Sequence, residues 1–256
     1  MAQSATSSSA PPSTKAHSSS MLRKIVSFIV KLTAVFFVGS VVLVIITRFV
    51  PIFITPLMVI RLVEGGLEGK WVGMDKTWVS LESISPAVQR AVIASEDARF
   101  LTHGGIDWEA VQEAQRRNER TERLAAQGKI KKKRLYGAST ISMQTAKNAF
   151  LFPSRTYLRK ALEAYFTYLM EFIWGKRRIL EIYLNIIEMG SGVYGVEAAS
   201  QRCFGKSAAQ LTSREAALIA AVLPNPRKWS PVKPSGYIQR KASTIQARMN
   251  GVALPQ

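Results

Sequence analysis

The sequence has a single cysteine, Cys203, and only two histidines, His17 and His103. One cysteine excludes an internal disulfide and any cysteine-based metal cluster, and the expectation for it is a small buried apolar role. Two histidines so far apart leave no metal-ligand spacing, so no metal centre built by the protein is expected. Acidic side chains are also scarce, 17 against 35 Lys+Arg for a net charge of +18. That excess points to an anionic partner, whether nucleic acid, a phospholipid surface or a phosphorylated substrate. Absent too are a βαβ alternation, a repeat of fixed period and a Gly-rich phosphate loop of Walker or Rossmann spacing, which excludes the common nucleotide-binding architectures. With 256 residues, the chain has room for one domain of moderate size plus a tail and an anchor.

The start of the chain is mostly Ser, Ala, Thr and Pro. Such a composition is too poor in large apolar groups to offset the entropy of ordering, so residues 1–24 are expected to be a disordered tail. From Ile25 to Ile46 the chain reads IVSFIVKLTAVFFVGSVVLVII, with Lys31 its only charge. At about 1.5 Å per residue this spans the roughly 30 Å hydrocarbon core of a bilayer, and residues 25–47 are predicted to be one transmembrane helix, with Lys31 snorkelling toward the interface. A cleaved signal peptide and a buried core helix are the competing readings; the run is long for the first and lacks the polar stripe of the second. Lys15, Arg23 and Lys24 precede it without an acidic residue, which keeps the amino terminus cytoplasmic and sends the rest outward. All 17 acidic residues and 30 of the 35 basic ones follow Arg48. Residues 49–60, FVPIFITPLMVI, are apolar but broken by Pro51 and Pro56; they are expected to lie at the membrane interface or to form an ordinary flank of the domain.

The remaining residues, 48–256, read as one mainly α domain. Ser85-Pro86 is a helix start leading to Glu96. After Ser154, Leu158, Leu162, Tyr165, Leu169 and Phe172 recur at helical spacing up to Gly175, with Arg159, Lys160 and Glu163 off that stripe. KRRILEIYLNIIEM forms a further helix ending before Gly190, and Thr212 with Glu215 is a capping box. Arg116 to Arg134 holds nine basic and two acidic residues. A solvated charged loop is the default reading, with attraction of lipid headgroups or a pyrophosphate beside it.

Two segments carry residues suited to chemistry. In ASEDARFLTHGGIDW, residues 94–108, adjacent carboxylates Glu96 and Asp97 precede Phe100, His103 and Gly104. This suits a cleft in which one carboxylate is partly desolvated as acid or base, although a Glu-Asp pair alone is more often a solvated helix end and a histidine more often structural. In YGASTISMQTAKNAFL, residues 136–151, Ser139, Thr140, Gln144, Lys147 and Asn148 offer hydrogen bonds and one cation for sugar hydroxyls and phosphate oxygens. The alternative is a plain polar helix start.

These segments, with RKALE at 159–163, RILEIYLNIIEMGSGVYGVEAAS at 178–200 and LTSREAALIAAVLPNPRKWSP at 211–231, resemble in order and style the peptidoglycan glycosyltransferases of family 51. That family includes the glycosyltransferase domain of bifunctional penicillin-binding proteins; the resemblance covers roughly residues 60–245, and no transpeptidase domain is expected to follow. It implies a mainly α, lysozyme-like fold and polymerisation of lipid II into glycan strands with inversion and release of undecaprenyl pyrophosphate. It implies Glu96 as general base, Glu163 as second carboxylate, and Asp97, Phe100, His103 and Gly104 as substrate-binding companions. Ser139, Thr140, Gln144, Lys147 and Asn148 carry over as substrate-binding, and Arg155, Arg159 and Lys160 as holders of pyrophosphate. Met143 stands where the family usually has glutamine and receives no role; Ala138 replaces a glycine. Glu181, Tyr183, Asn185 and Gly195 are implied to be structural.

The same resemblance implies lipid II, the growing glycan chain and membrane phospholipid as partners, with penicillin-binding transpeptidases and divisome proteins as further ones. It leaves room for a divalent cation, magnesium or manganese, at the pyrophosphate and implies no other cofactor. The expected location is the bacterial inner membrane, single-pass, with the catalytic domain periplasmic. Competing readings are a lytic transglycosylase or hydrolase, a non-catalytic membrane-tethered wall-assembly module, and a nucleic-acid binder; the last is disfavoured because export separates the basic domain from nucleic acid.

Overall fold

The apolar run near the amino terminus lies inside one long helix, α1, Lys15–Phe49. The structure is a computed structural model and describes residues 15–70, 73–130, 135–154 and 156–256. Contacts divide the chain into a unit ending at Leu43 and a second unit, Val44–Gln256. Within α1, Met21–Phe49 has a mean hydropathy of 2.7 and is long and apolar enough to cross a membrane. The helix begins at Lys15, so residues 15–24 are not the disordered tail that composition predicts. Once a helix is nucleated, extending it through a few Ser, His and Leu residues adds a hydrogen bond per residue at little cost.

In the second unit, the carbonyls at the end of α1 are satisfied by side chains. Trp174 Nε1 donates to Val44 O at 2.7 Å, and Arg178 Nη2 donates to Thr47 O and Val50 O at 3.0 and 2.9 Å. Pro51 interrupts the chain and Pro56 restarts it as the first residue of α2, Pro56–Leu67, capped by Thr55. One side of α2 buries Met58 and Gly65; Val59, Val63 and Leu67 on the other remain exposed. Then come β1 (Asp75–Lys76), α3 (Pro86–Glu96), α4 (Trp108–Ala126), α5 (Ile141–Phe150), α6 (Tyr157–Ile173) and α7 (Gly175–Ile186). They are followed by β2 (Glu188–Gly190), β3 (Val193–Tyr194), α8 (Val196–Phe204), α9 (Ser213–Val222) and α10 (Gly236–Met249).

This is a mainly α domain. The small sheet has order β1-β3-β2, with β1 parallel and β2 antiparallel to β3. Helix α9 is central: Ala216 to Val222 are all buried, as a helix must be when it is apolar all round. Its alanines let α3 and α10, which also pack on each other, approach closely. Helix α5 packs on α6 and α7. The predicted capping box is present, with Thr212 and Glu215 bonded reciprocally.

Two predicted features change. Of the segment expected as a charged loop, residues 116–134, the first part, 116–126, is instead the second half of α4, although the helix buries no residue. It is supported by Asp107 accepting from Ala110 N at 2.9 Å and by Arg117–Glu113 and Arg123–Glu119 pairs one turn apart; residues 131–134 lie outside the described residues. Helix α6 is turned from the orientation its apolar stripe predicts: Leu162, Tyr165 and Leu169 of that stripe are only half-buried against the core, and charged and polar groups are among the deepest. Glu163, Phe166, Thr167 and Met170 are buried, while Leu158 and Phe172 are 72% and 90% exposed. Glu163 can face inward because its charge is paired, as described below.

Candidate active site

Glu96 ends α3, half-buried, where the helix meets the loop to α4. Its Oε2 accepts from Gln144 Nε2 at 3.1 Å and its Oε1 from Ser95 Oγ at 3.3 Å. Gln144 is held in turn by Tyr183, whose hydroxyl donates to its Oε1 at 3.2 Å. Burial, then the nearby Glu96 and Asp97 carboxylates, raise the Tyr183 pKa well above the ordinary phenol range. The tyrosine therefore stays a donor, and the Gln144 amide must turn its NH2 toward Glu96.

Asp97, 7% exposed, ties the same loop to α5. Both its oxygens lie 3.0 Å from His103 Nε2, and Oδ2 also accepts from Ile141 N at 3.0 Å. Gly105 N donates to His103 Nδ1 at 3.1 Å, so the ring proton sits on Nε2 and points at Asp97. Thr140 caps α5, accepting from Met143 N at 3.1 Å and donating to Gly105 O at 2.5 Å. Glu96, Asp97, Ser139 and Thr140 share the wall of a cavity of about 340 Å³.

The cations lie further along α5 and on α6. Gln144, Lys147, Asn148, Ser154 and Arg159 line a second cavity of about 470 Å³. Lys147 is half-buried, and burial lowers its pKa, with Glu163 opposing the shift and Arg159 and Lys160 adding to it. Its charge is thus lost at a lower pH than that of a solvated lysine. Arg159 Nη1 and Lys160 Nζ both donate to Glu163, the lysine at 2.7 Å to Oε1. The arginine's Nε donates to Ser154 O, and Lys160, with Ser139 and Met143, reaches a further cavity of about 470 Å³.

Glu96, Gln144, Lys147, Asn148, Ser139, Arg159 and Lys160 are therefore brought together at open cavity walls. Several others play a different part from the one predicted. Glu163 is 3% exposed with both oxygens occupied, so it positions the cations and does not meet a ligand as a second catalytic carboxylate. Phe100 is fully buried and cannot touch substrate; its ring lies under Lys176 Nζ at 4.6 Å. Asp97, His103 and Thr140 spend their hydrogen bonds on the protein and act through the geometry they impose. Gly104 lies exposed in the turn. Arg155 lies outside the described residues.

Three functional residues escape a reading by pattern. Tyr183 orients Gln144. Glu171 receives Ser142 Oγ at 2.5 Å and Lys176 Nζ at 2.7 Å, binding α6 to α5. The glycine that the site requires is Gly105, with φ +101°, where an added Cβ would stand 2.7 Å from Thr167 Cγ2 and 2.9 Å from Glu171 Cγ. The tyrosine and the glutamate sit inside apolar helical runs, which gives them no sequence signal.

A resident divalent ion does not fit this donor set. Asp97 is committed to His103 and Ile141, Glu163 to Arg159 and Lys160, and no three His, Cys, Asp or Glu side chains among the described residues converge on a point.

The sequence matches known proteins over most of its length. A family model described as Transglycosylase matches residues 67–250. A curated relative from Rhodospirillum centenum, called biosynthetic peptidoglycan transglycosylase, is 55% identical over 202 residues, 79% of this chain and 80% of the relative. Relatives of the same name from Bdellovibrio bacteriovorus and Caulobacter vibrioides are 50% and 51% identical, covering 87% and 81% of this chain and 84% and 83% of their own lengths.

Proposed function

This chain belongs to the transglycosylase family, and on that premise we propose that it polymerises peptidoglycan strands from lipid II, releasing undecaprenyl pyrophosphate. Its enzymatic class is that of a glycosyltransferase acting in peptidoglycan synthesis. Helix α1 anchors it to a membrane; the basic residues before the apolar run favour a cytoplasmic amino terminus and a catalytic domain outside the inner membrane.

In the proposed step Glu96 accepts the proton of the acceptor N-acetylglucosamine 4-hydroxyl. That oxygen attacks C1 of the donor N-acetylmuramic acid from the face opposite the leaving group. The C1–O bond to phosphate breaks, its electron pair leaves with the diphosphate, and the configuration inverts. Lys147 and Arg159, with Lys160, and Arg155 by its place in the sequence, stabilise the charge gathering on the leaving group. Glu163 keeps two of these cations together while leaving them a net positive charge. The growing glycan is the other substrate, with penicillin-binding transpeptidases and divisome proteins as candidate partners.

The observation that supports this reading most is the span of α5. Its Gln144 meets Glu96 at 3.1 Å, while Gln144 and Lys147 line the neighbouring cationic cavity, so one rigid element relates the base to the anion site. Glu96→Gln preserves shape and removes the base. Polymer formed by the purified full-length protein from lipid II should fall by about 10²–10⁴, the usual worth of a general base, with an unchanged thermal midpoint. Near-normal polymerisation by this variant overturns the assignment, and release of soluble fragments from intact sacculi instead would favour a lytic activity.

A further inference from the structure

The cationic cavity has wall residues to which neither the catalytic step nor the motif residues named above assign a role. Besides Lys147 and Arg159 it is lined by Leu57 and Arg61 of α2 and by Glu188 of β2. Arg61 Nη1 meets Glu64 Oε2 at 2.7 Å, but its Nε stands 3.6 Å from Glu188 Oε2, beyond hydrogen-bond reach. Arg61 Nε, Glu188 Oε1 and the Tyr194 hydroxyl are buried without a hydrogen-bond partner. Burial raises the Glu188 pKa, with Arg61 and Arg227 pulling it back, and the Tyr194 phenol is pushed up to about 12 by its own burial and by Glu188.

Buried polar atoms are nearly always paired, so an orphaned guanidinium nitrogen beside an orphaned carboxylate oxygen on a cavity wall marks an interaction left for a ligand to complete. A loose ion pair of this kind is also easily exchanged. A diphosphate offers the guanidinium fork several oxygens and more charge than one carboxylate does. Glu188 fixes the direction of the effect, because its negative charge competes with an entering anion for Arg61 and repels that anion.

We propose that Arg61 is a further diphosphate-contacting residue of this enzyme and that Glu188 is its placeholder, holding the guanidinium at the cavity wall until the substrate's diphosphate displaces it. This rests on the reading of the cavity as the diphosphate site. Arg61 then exchanges its 3.6 Å contact with Glu188 for a phosphate contact, and Lys147 and Arg159, which line the same cavity, meet the same group. Arg61 is carried by the helix whose outer residues Val59, Val63 and Leu67 are exposed and apolar, so one helix presents an apolar outer face and a further cation for the diphosphate.

The two residues should have opposite effects, which a purely structural pair would not. With the full-length protein in detergent, KM for lipid II is measured together with inhibition by farnesyl diphosphate as a soluble probe. Arg61→Met should raise the inhibition constant and KM by about tenfold or more, as loss of one charge-assisted contact does, with a smaller change in kcat. Arg61→Lys should recover part of that loss. Glu188→Gln should lower the inhibition constant several-fold, and this gain should vanish in an Arg61→Met background because the two act through one contact.

If Arg61→Met leaves both constants unchanged while Lys147→Met raises them, the proposal fails and the diphosphate site stands. If Lys147→Met also has no effect, both fail together. Glu188→Gln weakening the probe as Arg61→Met does would reduce the pair to a structural tie and likewise overturn the proposal. Should Arg61→Met not fold, the Arg61→Lys and Glu188→Gln measurements decide the matter by the same signs.

Discussion

On one side of α5, Glu96 is held by groups that are themselves held. Gln144 is fixed by Tyr183, and the loop behind the glutamate is locked to α5 through Asp97, His103 and Thr140. On the other side, Arg159 and Lys160 converge on Glu163. The first arrangement interlocks α3, its following loop, α5 and α7; the second gathers two cations on one buried carboxylate. The difference matches the two tasks. Proton transfer requires alignment of one group within hydrogen-bond reach, whereas stabilising a diphosphate requires several positive charges gathered in advance where the leaving group's charge accumulates.

The sharpest way to break this contrast is Asp97→Ala. It orphans Ile141 N and releases His103, and hydrogen bonds to a buried carboxylate contribute about 1.5–3 kcal/mol each. The loop carrying Glu96 should shift, and a displacement of about 1 Å in a reacting group costs on the order of 10² in rate. The expected loss is therefore in kcat, with a clear drop in the thermal midpoint. A variant as active and stable as the parent would show that the interlocking is ornamental. Glu163→Gln probes the other side with a smaller effect. It keeps the volume but withdraws the charge that gathers Arg159 and Lys160, so KM for lipid II should rise by about tenfold, equivalent to about 1.4 kcal/mol, while kcat changes less. A loss confined to kcat would put Glu163 on the carboxylate side instead.

The same contrast decides what the sequence could reveal. Helix starts and stops written in local chemistry were legible: Ser85 before Pro86, the Thr212–Glu215 box and the apolar run of α1. So was the association of Glu96 with Gln144 and Lys147, through motifs rather than spacing. Apolar periodicity misjudged α6 because it scores Glu163 as an outward residue, although a paired charge can be among the most buried groups on its helix. It left residues 116–126 as a loop because α4 buries nothing and is stabilised instead by Asp107 and by charge pairs one turn apart. Glu188 and Arg61 carry no local signal, since 127 residues separate them and only the packing of α2 and β2 at one cavity makes them neighbours.

The smallest expected effect tests the contrast most finely. Tyr183 is fully buried and its hydroxyl reaches the site through Gln144, at 3.2 Å. Tyr183→Phe removes one neutral hydrogen bond, about 0.5–1.5 kcal/mol, and frees the Gln144 amide to rotate. In one of its two orientations the amide presents oxygen to the Glu96 carboxylate, which repels it, so a fraction of molecules holds the base misaligned. Activity should fall severalfold in kcat with KM and thermal midpoint nearly unchanged. Gln144→Met abolishes the contact altogether and should cost more. If the tyrosine acts only through the amide, adding Tyr183→Phe to Gln144→Met changes nothing further, because the two side chains are one device. A further loss of equal size in the double variant would instead assign Tyr183 to packing beneath Glu96, and the carboxylate side would then be held by shape rather than by a chain of donors.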